Sequence, residues 1–194
     1  MKLSRMFSSE KYKGTIGYID SQKKYEILRT VIYTALSLAI LLVGYISTGT
    51  KMNLLTIFAV LGLLPASKSA IGMIMFLRYH SYNWEKSMEL NEKAESLNQM
   101  FDMVFTTYDQ NFQVDHLVVK GNTICGYSHI TKFNENIFYK HIDAVLKADN
   151  YKEVSVKIFT DYNKYLERIE QLKRSEAEES NSAGIMATLK CVIL

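Results

Sequence analysis

Apolar positions along this chain fall into two regimes. Between residues 31 and 77 they are nearly continuous, and after residue 84 they come in short periodic groups separated by polar turns. The first regime holds two runs, 31–47 (VIYTALSLAILLVGYIS) and 54–77 (LLTIFAVLGLLPASKSAIGMIMFL), with six residues between them. A helix rises about 1.5 Å per residue and a bilayer's hydrocarbon core is about 30 Å thick, so roughly twenty apolar residues cross it. The two runs therefore predict a transmembrane helical hairpin. Ile27 and Leu28 lengthen the first run if Arg29 reaches back to the headgroups, and Tyr33 and Tyr45 fall near its ends, where aromatic rings favour the interface. A signal peptide fits less well, because the run starts thirty residues in and no small-x-small site follows it. A buried soluble hairpin also fits less well, because Leu, Ile and Val occupy every side of the helix.

The second run carries two irregularities, Pro65 and Lys68. Pro65 lacks a backbone donor, so a kink is expected about a turn upstream. Lys68 has two readings. It is either an intramembrane cation paired with an anion or a lipid phosphate, or a side chain that snorkels to the near interface, which is the preferred reading. Residues 1–30 form a basic arm with Lys2, Arg5, Lys11, Lys13, Lys23, Lys24 and Arg29, against Glu10, Asp20 and Glu26; the inter-helix turn has only Lys51. Excess Lys and Arg stay cytoplasmic, which predicts the plasma (inner) membrane with both termini in the cytoplasm. Gly62 and Ala66 offer a small-xxx-small face, so a homo-oligomer through the hairpin is one expectation.

The second regime reads as a small cytosolic α/β domain. Residues 78–100 predict an amphipathic connector helix with Leu90, Ala94, Leu97 and Phe101 on one face. Three strands follow at 101–108, 112–119 and 122–130, joined by a turn at Asp109, Gln110 and Asn111 and a tight hairpin at Lys120, Gly121 and Asn122. Asn134 caps a helix whose apolar face holds Ile137, Phe138, His141, Ile142, Val145 and Leu146. A strand at 153–160 and a helix capped by Asp161 complete the domain at residue 174. Residues 175–184 read as a flexible loop, and 185–194 as a final apolar edge strand.

Composition excludes more than it suggests. The net charge of +3 is concentrated in the N-terminal arm, so nucleic acid is not an expected partner. Two cysteines, Cys125 and Cys191, are too few for a disulfide framework, and His80, His116, His129 and His141 lack metal-ligand spacing. No cofactor is predicted. The expected partners are the lipid bilayer and a protein partner or second copy of the chain. Cys125 with His129 suggests a thiol nucleophile, although a lone strand cysteine is more simply a small buried residue. His141 reads as a core histidine bonded to a carbonyl, and Lys157 as a residue on a solvated face. The last four residues, Cys-Val-Ile-Leu, match a prenylation pattern, yet they continue an apolar strand in a chain that already has an anchor.

The order helix, three strands, helix, strand, helix, together with the segment VDHLVV at 114–119, resembles the core of the PD-(D/E)xK nucleases and their NERD relatives. The resemblance covers residues 84–160. It implies a restriction-endonuclease-like fold, Asp115 as a metal ligand and Mg²⁺ as the alternative cofactor. The pattern also requires an acid and a lysine two apart on the next strand, and ICGYSHI has neither; Ser128 and His129 stand there instead. An acid would have to come from Glu135 or Asp143. Asp115 is therefore expected to be structural, paired with His116, Lys157 or a backbone amide. The leading expectation is a membrane-anchored, non-enzymatic scaffold, sensor or partner-binding subunit with no catalytic residue. Lys68, His129 and Lys157 are the candidate binding residues, and the alternatives are a metal-dependent nuclease or a small transport or channel component around Lys68.

Overall fold

The structure, a computed structural model, describes residues 10–107, 110–175 and 181–194. Lys2 and Arg5 of the arm, Asp109 of the first expected turn and residues 176–180 of the expected loop at 175–184 lie outside the described residues. The chain is mixed α/β and divides into two units, Ile19–His80 and Glu10–Tyr18 with Ser81–Leu194.

The first unit is a helical hairpin. Helix α1 spans Tyr18–Thr48 and α2 spans Leu54–Leu77, and both are long and apolar enough to cross a membrane. Helix α1 thus starts at Tyr18 and takes up much of the segment expected to be a basic arm. Gly49, at φ 66°, ends α1 in the left-handed conformation that terminates helices, and its N–H donates to the Tyr45 carbonyl at 2.9 Å. Asn53 then caps α2 by accepting from the Thr56 N–H at 2.8 Å, and its Nδ2 donates to Thr48 Oγ1 at 2.9 Å, closing the turn. Helix α2 runs unbroken through Pro65.

The hairpin is packed inside-out relative to a water-soluble helix pair. Between residues 31 and 75 its buried positions are small or polar, among them Ser37, Ala59, Ala66 and Ser69, while Ile19, Tyr25 and Phe76 are buried nearer the open end. Its bulky apolar side chains face outward, with Leu36 at 60%, Ile46 at 80% and Leu64 at 65% exposure. Only 17% of the apolar window in each helix is buried. The close approach depends on glycine. A Cβ on Gly62 would come within 2.7 Å of Ser37 Oγ, and one on Gly44 within 2.8 Å of Leu55 Cβ.

The second unit is a three-layer domain around a four-stranded sheet in the order β1-β2-β3-β4. Strands β1 (Asn98–Thr106), β2 (Asn111–Lys120) and β3 (Thr123–Tyr127) form an antiparallel meander. The β2–β3 turn places Gly121 at φ 56° in the first of its two central positions, as a II′ turn requires. After helix α4 (Glu135–Ala148), strand β4 (Ser155–Phe159) returns parallel to β3. Helix α4 packs one sheet face through Phe138, Ile142 and Leu146, against Met103, Phe105, Val114 and Ile158. Helices α3 (Trp84–Lys93) and α5 (Tyr162–Arg174) cover the other face, where Leu90, Tyr165, Ile169 and Leu172 surround Phe101, Val118, Cys125 and Tyr127.

Two expectations about elements are corrected. The connector helix stops at Lys93: Leu90, Ala94, Leu97 and Phe101 do share one core, but Leu97 sits in a turn and Phe101 in β1. The tail is a helix, α6 (Ser182–Val192), and not a strand. Ser182, Ile185 and Leu189 recur at helical spacing and are fully buried, and Ala183, Met186 and Ala187 between them are good helix formers. Only Ile193 behaves as expected of a strand, making a single bridge to Phe105 at the sheet edge.

Candidate functional site

Strands β1 and β2 break their in-and-out alternation at the same level. Met100 and Met103, three residues apart, share the first core, and so do Val114 and Leu117 on the partner strand. Regular alternation would place each pair on opposite faces. Phe101 pairs with His116 and Met103 with Val114, which leaves Asp102 facing Asp115 between them. Asp102 carries the interruption in left-handed backbone, φ 48°. Two carboxylates, 1% and 0% exposed, are thus set side by side in the sheet.

Each carboxylate is engaged by different donors. Asp102 Oδ2 accepts the Gly17 N–H at 2.6 Å and Oδ1 accepts the Tyr82 N–H at 2.9 Å. Asp115 Oδ2 accepts both the backbone N–H and the ring Nδ1–H of His129, each at 2.7 Å, and Oδ1 accepts Gln113 Nε2 at 3.3 Å. Burial pushes both carboxyls above the ordinary carboxylate range, and the hydrogen bonds from Tyr82 and Gly17, or from His129, act against it.

The expected partners of Asp115 are thereby corrected. His116 turns to the other core, where Nε2 bonds Gln99 Oε1 at 3.1 Å and Nδ1 meets the Tyr165 hydroxyl at 2.8 Å; burial drives its pKa down to about 3. Because Gln99 Oε1 only accepts, His116 is the neutral Nε2–H tautomer with Tyr165 donating to Nδ1. Lys157 is exposed and lies over the Phe159 ring at 5.1 Å. Of the alternatives, the backbone amide holds, and it belongs to His129.

His129 is the member of this cluster that reaches solvent, its side chain 47% exposed. Its ring stacks on Tyr82 with centroids 5.8 Å apart, and Tyr82 in turn meets Tyr127 edge-on at 5.6 Å, with their hydroxyls 3.4 Å apart. Tyr162 continues the series from Tyr127 at 5.5 Å and donates to Glu89 at 2.8 Å. The result is an Asp–His dyad, its imidazole fixed through Nδ1 and its Nε2 left over, backed by an aromatic wall. Asp102 and Tyr82 were not candidates from the sequence, although an acid inside the apolar run FDMVF was a visible signal.

The remaining candidates fall elsewhere. Cys125 is 1% exposed, faces the α5 core, and burial pushes its thiol up, so it is no nucleophile in this state. His141 Nε2 is buried with no hydrogen-bond partner among the described residues, where a carbonyl had been expected, and burial lowers its pKa. Asp143 pairs with Lys147 along α4 at 2.8 Å, and Glu135 is exposed at the start of that helix. Among the described residues no group of three His, Cys, Asp or Glu side chains is arranged to hold a metal ion. Cys191 is exposed, but Ile193 is buried and Leu194 is held at both ends, its N–H by the Val104 carbonyl at 2.9 Å and its carbonyl by the Tyr18 hydroxyl at 3.2 Å.

Lys68, exposed on α2, lines a cleft of the hairpin with Arg29, Tyr33, Pro65 and Ser69. Comparison of the chain with family models, with curated proteins and with solved structures finds no match.

Proposed function

We propose that the chain is a membrane-anchored, non-enzymatic α/β module of the cytoplasmic face of the inner membrane, in which the soluble unit serves as a sensor or partner-binding head. The hairpin spans the bilayer with its 49–53 turn outside, and its outward-facing Leu and Ile side chains meet lipid. The observation that carries the reading is the double use of Asp102. One buried carboxylate holds Gly17, just before α1, and Tyr82, just after the hairpin. Both connectors therefore end on the same residue, and Tyr82 passes its position to His129 by stacking. Such a joint suits a head that must register what happens to its anchor.

Topology labelling tests this. The full chain should stay with membranes through alkaline extraction. A maleimide that does not cross the bilayer should label Thr50→Cys only from outside and the native Cys191 only from inside. Labelling of Thr50→Cys from the cytoplasmic side, or release of the chain by alkali, would overturn the reading. The nuclease alternative is separated by one assay: it requires Mg²⁺-dependent cleavage of nucleic acid that Asp115→Ala abolishes, and the present reading expects no cleavage from either protein.

A further inference from the structure

The hairpin's own contacts locate Lys68. A Cβ on Gly44 would meet Leu55, one on Gly62 would meet Ser37, and one on Gly72 would meet Glu26, while Thr30 Oγ1 lies 2.9 Å from Ser69 Oγ. These pairs fix one antiparallel register, and in it Lys68 lies level with residue 31, the first of the uncharged run. From that level to the end of α1 at Thr48 is about 26 Å of helix, close to the thickness of a hydrocarbon core. Lys68 is thus at the boundary and not at mid-membrane.

A built cleft of about 220 Å³ opens there between the helices, lined by Arg29 and Tyr33 from α1 and Pro65, Lys68 and Ser69 from α2. Its floor is fixed. Arg29 is paired with the buried Glu26, and its Nε donates to Ser69 Oγ at 3.1 Å. Glu26 is also held by Gln22 Nε2 at 3.0 Å. Glu26 offsets the charge of Arg29, so the excess positive charge of the cleft is that of Lys68. The Lys68 ammonium and the Tyr33 hydroxyl have no partner among the described residues.

We propose that this cleft is a headgroup site for an anionic phospholipid. Lys68 and the Tyr33 hydroxyl donate to its phosphate, the Arg29 guanidinium lies behind them, and the acyl chains run down the exposed apolar faces of the helices. The proposal rests on the membrane reading above. A cation placed at headgroup level beside a fixed guanidinium selects a phosphate ester with net negative charge, and the cleft gives it a place between the helices.

The test uses the full chain in nanodiscs of phosphatidylcholine doped with phosphatidylglycerol, with retained lipid counted by native mass spectrometry. One phosphatidylglycerol per chain is expected, reduced about fivefold by Lys68→Gln and retained by Lys68→Arg. Tyr33→Phe should weaken it less. Equal retention by the native chain and Lys68→Gln would overturn the proposal, as would displacement of the lipid by inorganic phosphate, which would mark a soluble-anion site. A chain that needs no detergent or lipid to remain in solution would remove the membrane reading itself, and that outcome is seen before any lipid is counted.

Discussion

Asp102→Ala is the sharpest perturbation available, because it removes one side chain and releases two segments far apart in sequence. The substitution leaves the Gly17 and Tyr82 N–H groups, held at 2.6 and 2.9 Å, without an acceptor. A buried donor left unpaired costs about 1–3 kcal/mol, and because both bonds are only partly buried each loss falls at the lower end, about 1 kcal/mol. Alanine at φ 48° adds roughly 1 kcal/mol of left-handed strain. Against this, the variant loses a carboxylate whose burial already raises its pKa, so part of the cost is returned. A net loosening of about 2–3 kcal/mol remains, or roughly 30- to 150-fold faster amide exchange if opening is local. The assay is hydrogen–deuterium exchange of the full chain in nanodiscs, read on peptides containing Gly17 and Tyr82. Both should deprotect together, while the α4 peptides that contain Phe138 and Ile142 stay protected. Asp102→Gly relieves the strain and still lacks the acceptor, so it should deprotect both connectors nearly as much. If either connector keeps native protection in both variants, Asp102 is not the common tie and the joint is wrongly described.

Three further outcomes follow from other contacts. Lys120 Nζ donates to the carbonyls of Leu172, Lys173 and Ser175 at 3.0, 3.3 and 2.8 Å, closing the C-terminus of α5; Lys120→Met should lower unfolding stability by about 1–3 kcal/mol in urea titrations. Because the Asp115 carboxyl has a raised pKa in the fold, the native state holds that proton more tightly than the unfolded chain. This contribution to stability is therefore full below the ordinary carboxylate value of about 3.9 and is lost as pH rises through the raised value. The native-minus-Asp115→Asn stability difference should shift against the native chain across that window and then level off; a difference that moved the other way would contradict the burial argument. Gly62→Ile drives a branched side chain into Ser37 and should separate the helices, seen as loss of disulfide cross-linking between Cys residues placed at Leu41 and Thr56.

Local pattern made much of the second unit readable. Asn134 and Asp161 cap α4 and α5 by accepting from N–H groups two or three residues on, as their side-chain chemistry dictates, and the Gly121 turn joins two alternating strands. The errors came from coincidences of spacing. Leu90, Ala94, Leu97 and Phe101 keep a helix-like interval while the backbone passes from helix through turn to strand, because all four answer to one core and not to one helix axis. The tail reads as a strand from its apolar content alone, whereas Ile185 and Leu189 fall at the spacing of one buried helix face. The site was least legible. Asp115 was visible as a polar residue in a strand, but its tie to His129 spans a hairpin, and the Asp102 contacts span 20 and 85 residues. No periodicity encodes such pairings.

The two acids explain each other. A continuous antiparallel pair at the level of residues 102 and 115 would satisfy its own backbone groups and offer nothing to a third segment. Breaking the alternation there puts carboxylate oxygens where Gly17, Tyr82 and His129 present N–H groups that have no strand to pair with. An amide side chain could not do the same for Asp102: Asn presents one acceptor and one donor, and the donor would face an N–H. Only an acid accepts on both oxygens, and it does so at the cost of a buried charge. Burial raises the carboxyl's pKa while the connector hydrogen bonds lower it, so the charge and the connector geometry are coupled. If the carboxyl of Asp102 takes up a proton, the protonated oxygen becomes a weaker acceptor, and the bond it holds to Gly17 or Tyr82 is loosened. Exchange at those two amides should therefore rise as pH falls into the carboxyl's range, beyond the slowing of intrinsic exchange chemistry, and should not do so in Asp102→Gly. A pH-independent opening free energy at both amides in the native chain would sever the link between the charge and the joint.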